Sequence, residues 1–314
     1  MEDLKLIQSD MEYAAKKSSI SFWKLRIAEL LEINNLEQSL NNIQSGFNST
    51  YPVFVLDDLV IKFFCYRKNW QHVFKKECAV YQTLAKNSDI LAPQIIVKGE
   101  KGKGAGSWAY IISTRVIGNS WLNSELTREQ QITIFSELGE QLKMVHALPV
   151  DNDLIERFDS FEHLDIISAA KHSSLPNHLI NQIDYFLEAL PPFDNVLVNS
   201  DIVLMHVFVN QGHLSGIIDW GDAAITDRHY ELGKLCLEFP GDKILLQSLL
   251  KSADWPVSET FAHQTLGMAL YRQAVGLTQH RTFDMFYKLP NAIEHLDRVE
   301  TLDELSKKLF QFES

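Results

Sequence analysis

Two short β-forming runs, Val207-Phe-Val209 and Leu214 to Trp220, stand on either side of Asn210-Gln-Gly-His213, with Asp201 ahead of the first run and Asp219 near the end of the second. The small and polar residues between them are those of a tight turn, so the pattern predicts a β-hairpin. Folding that hairpin brings both carboxylates to the same end. Two convergent acids need a scaffold that holds them and a chemistry that uses them. Phosphoryl transfer is such a chemistry, because the protein need supply little beyond a carboxylate to take a hydroxyl proton and ligands that keep magnesium on the phosphates. Asp201 suits the first role, and Asp219 with His206 suits the second. Each aspartate read singly is an ordinary turn acid; the spacing of the set carries the inference.

A chain of 314 residues is longer than one lobe needs, which predicts two. Before the hairpin the pattern is first helical and then β-rich. Trp23, Leu25, Ile27, Leu30 and Leu31 form an apolar stripe at near-helical spacing. Tyr51 to Leu56 and Leu59 to Phe64 read as strands joined by the compact turn Asp57-Asp58. Lys62 interrupts the second strand, where an ammonium must either snorkel at an edge or point at an anion such as phosphate. Phe74 to Leu84 reads as a helix carrying Glu77, which is either a solvated charge or the ion-pair partner that orients Lys62. The loop from Gln44 to Thr50 offers the amide of Gly46 to nucleotide phosphates. Gly102-Lys-Gly104-Ala-Gly106 invites the same reading, but a strand follows it where a phosphate loop needs a helix, so it is a hairpin loop.

The strand Trp108 to Thr114 runs into Arg115-Val-Ile-Gly118, where the composition turns helical, giving expected lobes of 1–114 and 115–314. Thr127-Arg-Glu-Gln130 fits a capping box ahead of a core helix over 128–146, with His146 as a structural or capping histidine at its end. A formal charge of -12 argues against nucleic acid, whose phosphates need a basic face, and favours a cationic small molecule. Cys65, Cys78 and Cys236 lack metal-ligand spacing and read as reduced thiols. With neither a signal-type N-terminus nor an apolar run of membrane-spanning length, the expected location is the cytoplasm.

In order along the chain, Ser49-Thr-Tyr-Pro-Val53, Val60-Ile-Lys62, Glu77, Tyr110-Ile-Ile-Ser-Thr-Arg115, Glu137-Leu-Gly-Glu-Gln-Leu142, Val145-His146, Asp201, Gly216-Ile-Ile-Asp-Trp-Gly-Asp-Ala223 and Asp227-Arg-His-Tyr-Glu-Leu232 resemble the aminoglycoside phosphotransferase family of small-molecule kinases. Phe22-Trp23 and the Ser-Thr-Tyr-Pro entry are most similar to its hygromycin B kinase branch. The resemblance implies an α+β, two-lobed, protein-kinase-like fold with a β-rich N-lobe, a mainly helical C-lobe and ATP or GTP between them. It implies Lys62 on the phosphates, Glu77 holding Lys62, Ser113 to Arg115 along the hinge near the base, Asp201 as catalytic base and Asp219 as the principal Mg2+ ligand. The family's usual His-Gly-Asp with Asn five residues later is replaced here by Asn199-Ser-Asp201 and His206. Imidazole is a poorer partner for magnesium than oxygen, so this exchange bears on metal preference and turnover.

The expected reaction is transfer to a hydroxyl of a cationic aminoglycoside or aminocyclitol, with Asp222, Asp227, Glu231 and Glu238 as candidate amine contacts and antibiotic resistance as the associated role. Two alternatives stand beside it: a metabolic kinase of the same fold acting on a sugar, choline-like or amino-alcohol acceptor, and a weakened nucleotide-binding protein.

Overall fold

The computed structural model describes residues 7, 9–47, 50–102, 104–150, 163–279 and 282–311. Asn48 and Ser49 of the loop read as phosphate-binding, and Lys103 of the glycine-alternating segment, lie outside them. The chain forms two compact units, Met1–Ser88 with Ala92–Ile117 and Asp89–Leu91 with Gly118–Ser314.

In the first unit, α1 (Asp10–Lys16) and α2 (Ile20–Ile33) precede β1 (Gln44–Ser45), β2 (Val53–Leu56) and β3 (Leu59–Phe64), after which come α3 (Trp70–Leu84), β4 (Ile95–Lys101) and β5 (Trp108–Thr114). The strands make one antiparallel sheet in the order β1-β2-β3-β5-β4. Each face is apolar for its own reason. Trp23, Ile27, Leu30 and Leu31 recur at helical steps along α2 and bury against Phe54, Phe63 and Trp108, with Trp23 and Phe63 ring centroids 4.4 Å apart. Leu25, expected in that stripe, is 64% exposed, because two helical steps from Trp23 turn it some 200° away. On the other face, Trp70, Phe74 and Cys78 of α3 pack on Phe64, Ala109 and Ile111. The helix therefore begins at Trp70, four residues before the expected Phe74, since Trp70 extends the same buried row by one turn.

The second unit contains β6 (Asn119–Ser120), α4 (Arg128–His146), α5 (Ile166–Ala170), α6 (Asn177–Ile180), α7 (Ile183–Glu188), β7 (Val196–Val198), β8 (Val207–Asn210), β9 (His213–Ile217), β10 (Ala224–Thr226), α8 (His229–Leu237), α9 (Lys243–Ser252), α10 (Phe261–Gln279), α11 (Leu289–Ala292) and α12 (Leu302–Phe310). Helix α4 occupies the expected span, and its capping box is complete: Gln130 N–H donates to Thr127 Oγ1 at 3.3 Å and Thr127 N–H to Gln130 Oε1 at 2.9 Å. The hairpin β8–β9 pairs Val207 with Ile217 and Asn210 with His213. Gln211 and Gly212, at φ 53° and 84°, form a two-residue turn of left-handed residues, tighter than the four-residue turn expected.

The second hairpin strand stops at Ile217, short of the expected Trp220. Asp219 sits at φ 56°, a left-handed backbone that cannot continue a ladder, and the indole of Trp220 donates back to the Ile217 carbonyl at 2.9 Å. A second short sheet pairs β7 with β10, so the chain enters the Asn199-to-Asp201 loop from one sheet and leaves Asp219 toward the same sheet. All three cysteines are buried free thiols. Among the described residues, no helix is long and apolar enough to cross a membrane.

Candidate active site

The loop from Asn199 to Asp201 follows β7, and the turn at Asp219 follows β9. Asn199 ties them together. Its side chain donates to the Asp219 carbonyl at 3.3 Å and accepts the Asp201 amide at 2.9 Å, while its own amide donates to Glu231 Oε1 at 2.5 Å. Ser200 at φ 68° and Asp219 at φ 56° are left-handed, so both loops hold conformations that a chain adopts only when its surroundings fix them.

His206 lies between the two acids. Its Nδ1 is 2.8 Å from the Asp201 main-chain carbonyl, which can only accept, so Nδ1 carries the proton. Nε2 is then the lone-pair nitrogen in the neutral ring, and it stands 3.7 Å from Asp219 Oδ2. The backbone supports this placement, since the His206 carbonyl accepts the Ile218 amide at 3.0 Å. Two ligands of one cation at about 2.1 Å each can lie no more than about 4.2 Å apart, so this nitrogen and this oxygen fit a shared divalent ion. Among the described residues there is no group of three or more His, Cys, Asp or Glu that could hold a metal alone. A cation held here needs further ligands from water or a phosphate.

Asp201 has partners that no motif announced. Its Oδ1 accepts from Lys234 of α8 and from Arg272 Nη2 of α10, the latter at 3.1 Å. Both cations stand over the ring of Phe283, at 5.6 and 5.1 Å from its centroid. Burial, and then the neighbouring guanidinium of Arg272, push the Lys234 ammonium below its ordinary range against the opposing pull of Asp201. The only sequence signal was two cations within otherwise apolar helical patterns. Their convergence on Asp201 comes from sequence separations of 33 and 71 residues, beyond the reach of local spacing.

Below the loop, burial pushes the Glu231 carboxyl up to about 8, against the backbone amides of Asn199 and Ser200 that favour its ionised form. Other acids considered for amine binding also have internal partners. Asp227 is 2.6 Å from His229 Nδ1, and the bonds from His229 hold its carboxyl below the usual range although burial works the other way. Glu238 pairs with Lys288 at 2.6 Å. Asp222 acts electrostatically on Lys234 and Arg272. His146 packs edge-on against Trp255, and burial with the nearby Arg228 drives its imidazole down to about 3.

In the first unit, Lys62 Nζ meets both oxygens of Glu77, at 3.0 and 2.8 Å, and the Glu77 side chain is 3% exposed. Of the two readings of Glu77, the ion pair holds. Lys62 pairs in the sheet with Val53 and Ile111, an interior strand position, so it is no edge lysine. Ser113 is buried at the end of β5 opposite Val60. Arg115 donates its amide to Asp58 and its guanidinium to the Asp57 carbonyl at 3.0 Å, next to the β2–β3 turn. The Gly46 amide donates to the Val53 carbonyl at 2.8 Å, and a Cβ there would stand 2.7 Å from Val53 Cγ1, so the close approach of β1 to β2 requires glycine.

Residues 39–269 match the model of a family described as "Phosphotransferase enzyme family". Among similar solved structures is a GDP complex of wild-type aminoglycoside 2'-phosphotransferase-IIIa, at TM-score 0.64 and 16% identity over 91% of this chain and 98% of that one. A macrolide 2'-phosphotransferase, MphH from Brachybacterium faecium, superposes at TM-score 0.60 and 15% identity over 92% and 99%. A streptomycin–ATP–APH(2")-IIa ternary complex does so at TM-score 0.57 and 15% identity over 83% and 98%. At these identities the likeness establishes a kinase-like α+β fold, with an antiparallel sheet in its first part and helices in its second, and selects no branch of the family.

Proposed function

The chain belongs to the phosphotransferase enzyme family, and on that premise we propose that it transfers the terminal phosphoryl group of ATP or GTP to a hydroxyl of a small molecule, with Asp201 taking the hydroxyl proton. The observation that carries this reading is the linkage of Asp201 and Asp219 through one histidine ring and one asparagine side chain on a single hairpin. Asp219 and His206 are the residues that would hold a divalent cation, magnesium by preference for the carboxylate and manganese tolerated by the imidazole. Such an ion, when bound, neutralises charge on the nucleotide phosphates. In the first unit, Lys62 contacts those phosphates, and Glu77 keeps its ammonium from swinging away. Gly46 lines the phosphate end without a side chain, and Ser113 and Arg115 lie toward the base. We assign the nucleotide to 1–114 and the acceptor to 115–314.

The similar proteins support an acceptor of antibiotic type, since aminoglycosides and a macrolide stand in their names. Aminoglycosides also match the charge of -12, and resistance in the cytoplasm is then the role. One observation favours the second reading, a metabolic acceptor without several amines: Asp227, Glu231 and Glu238 already have internal partners, and two cations flank the base.

Asp201→Asn tests the assignment. With the phosphate contacts intact, nucleotide affinity should stay within about threefold of the parent while transfer falls roughly 100- to 10,000-fold. A variant that transfers at the parent rate removes Asp201 from the base role.

A further inference from the structure

Resting on the reading of Asp201 as base, we propose that Lys234 and Arg272 are positioning residues of the transfer: they hold Oδ1 of Asp201 and so present Oδ2 to the acceptor hydroxyl.

A free aspartate rotates readily about its last torsion, whereas a general base must keep one oxygen within about 2.6–3.2 Å of the proton it takes. Here the rotation is fixed from one side. Oδ1 receives both cationic donors, Lys234 and, at 3.1 Å, Arg272, whose side chains are only 17% and 4% exposed. The donors come from α8 and α10, which approach so closely that a Cβ on Gly233 would meet Ala269 Cα at 3.2 Å. Neither helix can slide without repacking, and Phe283 lies under both cations. Oδ2 has a weaker hold. It is 3.3 Å from His206 Nδ1, whose single proton already serves the Asp201 main-chain carbonyl at 2.8 Å.

An oxygen engaged by two cations is a poor proton acceptor, and the other oxygen is the one with an accessible lone pair. The acceptor O–H bond therefore breaks with its proton passing to Oδ2. The acceptor oxygen forms its bond to the terminal phosphorus of the nucleotide. The bond from that phosphorus to the bridging oxygen breaks, and the nucleoside diphosphate leaves with the bonding electrons. The arrangement is not an empty anion subsite for the acceptor, because the anion that satisfies Lys234 and Arg272 is Asp201 itself.

The full chain, with Lys234→Met, Lys234→Arg, Arg272→Lys and Asp201→Asn, is assayed for diphosphate release from ATP and GTP with magnesium, using water alone and kanamycin as acceptors. Lys234→Met should lower kcat roughly ten- to a hundredfold while the nucleotide KM stays within about twofold, since a misplaced base slows the chemical step without touching the phosphates. Lys234→Arg, which restores the charge, should recover kcat to within about threefold of the parent. Melting curves show which variants are folded. If Lys234→Met does not fold, Arg272→Lys decides, with about a tenfold loss in kcat at unchanged KM expected. A folded Lys234→Met at the parent kcat overturns the inference, as does a Lys234→Arg as slow as Lys234→Met, or, where Lys234→Met does not fold, an Arg272→Lys at the parent kcat. In each of those cases a parent faster than Asp201→Asn leaves the base reading standing. A parent no faster than Asp201→Asn with either acceptor overturns the base reading first, and this inference with it.

Discussion

Glu231 shows how one buried residue can set the pH limits of a loop. It is 1% exposed, it accepts the Asn199 amide, and its carboxyl is pushed up to about 8 from an ordinary 4.5. The folded state thus keeps a proton that the unfolded chain releases near pH 4.5, and the stability this group contributes must fall as the pH rises from there toward 8. The loss reaches the order of 3 kcal/mol by pH 7, from about 1.4 kcal/mol per pH unit. Glu231→Gln keeps the acceptor for the Asn199 amide and has nothing to ionise. Because His146, held down to about 3, contributes the opposite slope up to about pH 6.5 in both proteins, the urea-derived stability gained by Glu231→Gln over the parent should widen steadily from pH 5 to 8. A difference between the two proteins that stays constant over that range contradicts a neutral buried Glu231. Asp201, His206 and Asp219 were legible because one hairpin defines their spacing, and Glu231 was legible as an acid only. Its backbone partner, like the pairing of Lys234 and Arg272 with Asp201, depends on helices arriving from distant sequence, which no local pattern encodes.

Local rules succeeded for elements whose signals are carried within a few residues. Helix α4 has its capping box, a 3.6-residue apolar period and clear ends, and the strand β3 has β-branched and aromatic residues bounded by a turn. Thr127→Ala removes the acceptor for the Gln130 amide and should cost about 1 kcal/mol, seen as a lower urea midpoint at constant slope. An unchanged midpoint would mean that tertiary packing alone sets the start of α4. Where local reading missed, long-range packing or backbone geometry decided. The buried row on the sheet moved the start of α3 back to Trp70, and the left-handed backbone at Asp219 ended β9 early. Lys62 shows the middle case. Two readings stayed open in sequence; the pairing of its strand on both sides excludes the edge reading, and its ammonium meets Glu77, fifteen residues on.

Across the whole molecule, the fold persists at 15–16% identity with known relatives because patterning and packing define it, while the reacting groups occupy few positions. His206, where the resemblance leads one to expect Asn, leaves the hairpin intact and stands 3.7 Å from Asp219 Oδ2, so under the proposed metal role it would change what a cation meets. Around Asp201 itself stand two cations, Lys234 and Arg272, while Asp227 and Glu238 are engaged by His229 and Lys288. Diphosphate release from ATP and GTP, with magnesium or manganese, across aminoglycosides including hygromycin B, a macrolide, simple sugars and amino alcohols, measured beside Asp201→Asn, tests the central claim most directly. At least one hydroxyl acceptor should stimulate release in the parent, gain a phosphoryl group by mass, and do neither with Asp201→Asn. Release that is acceptor-independent and equal in the two proteins would contradict phosphoryl transfer through Asp201.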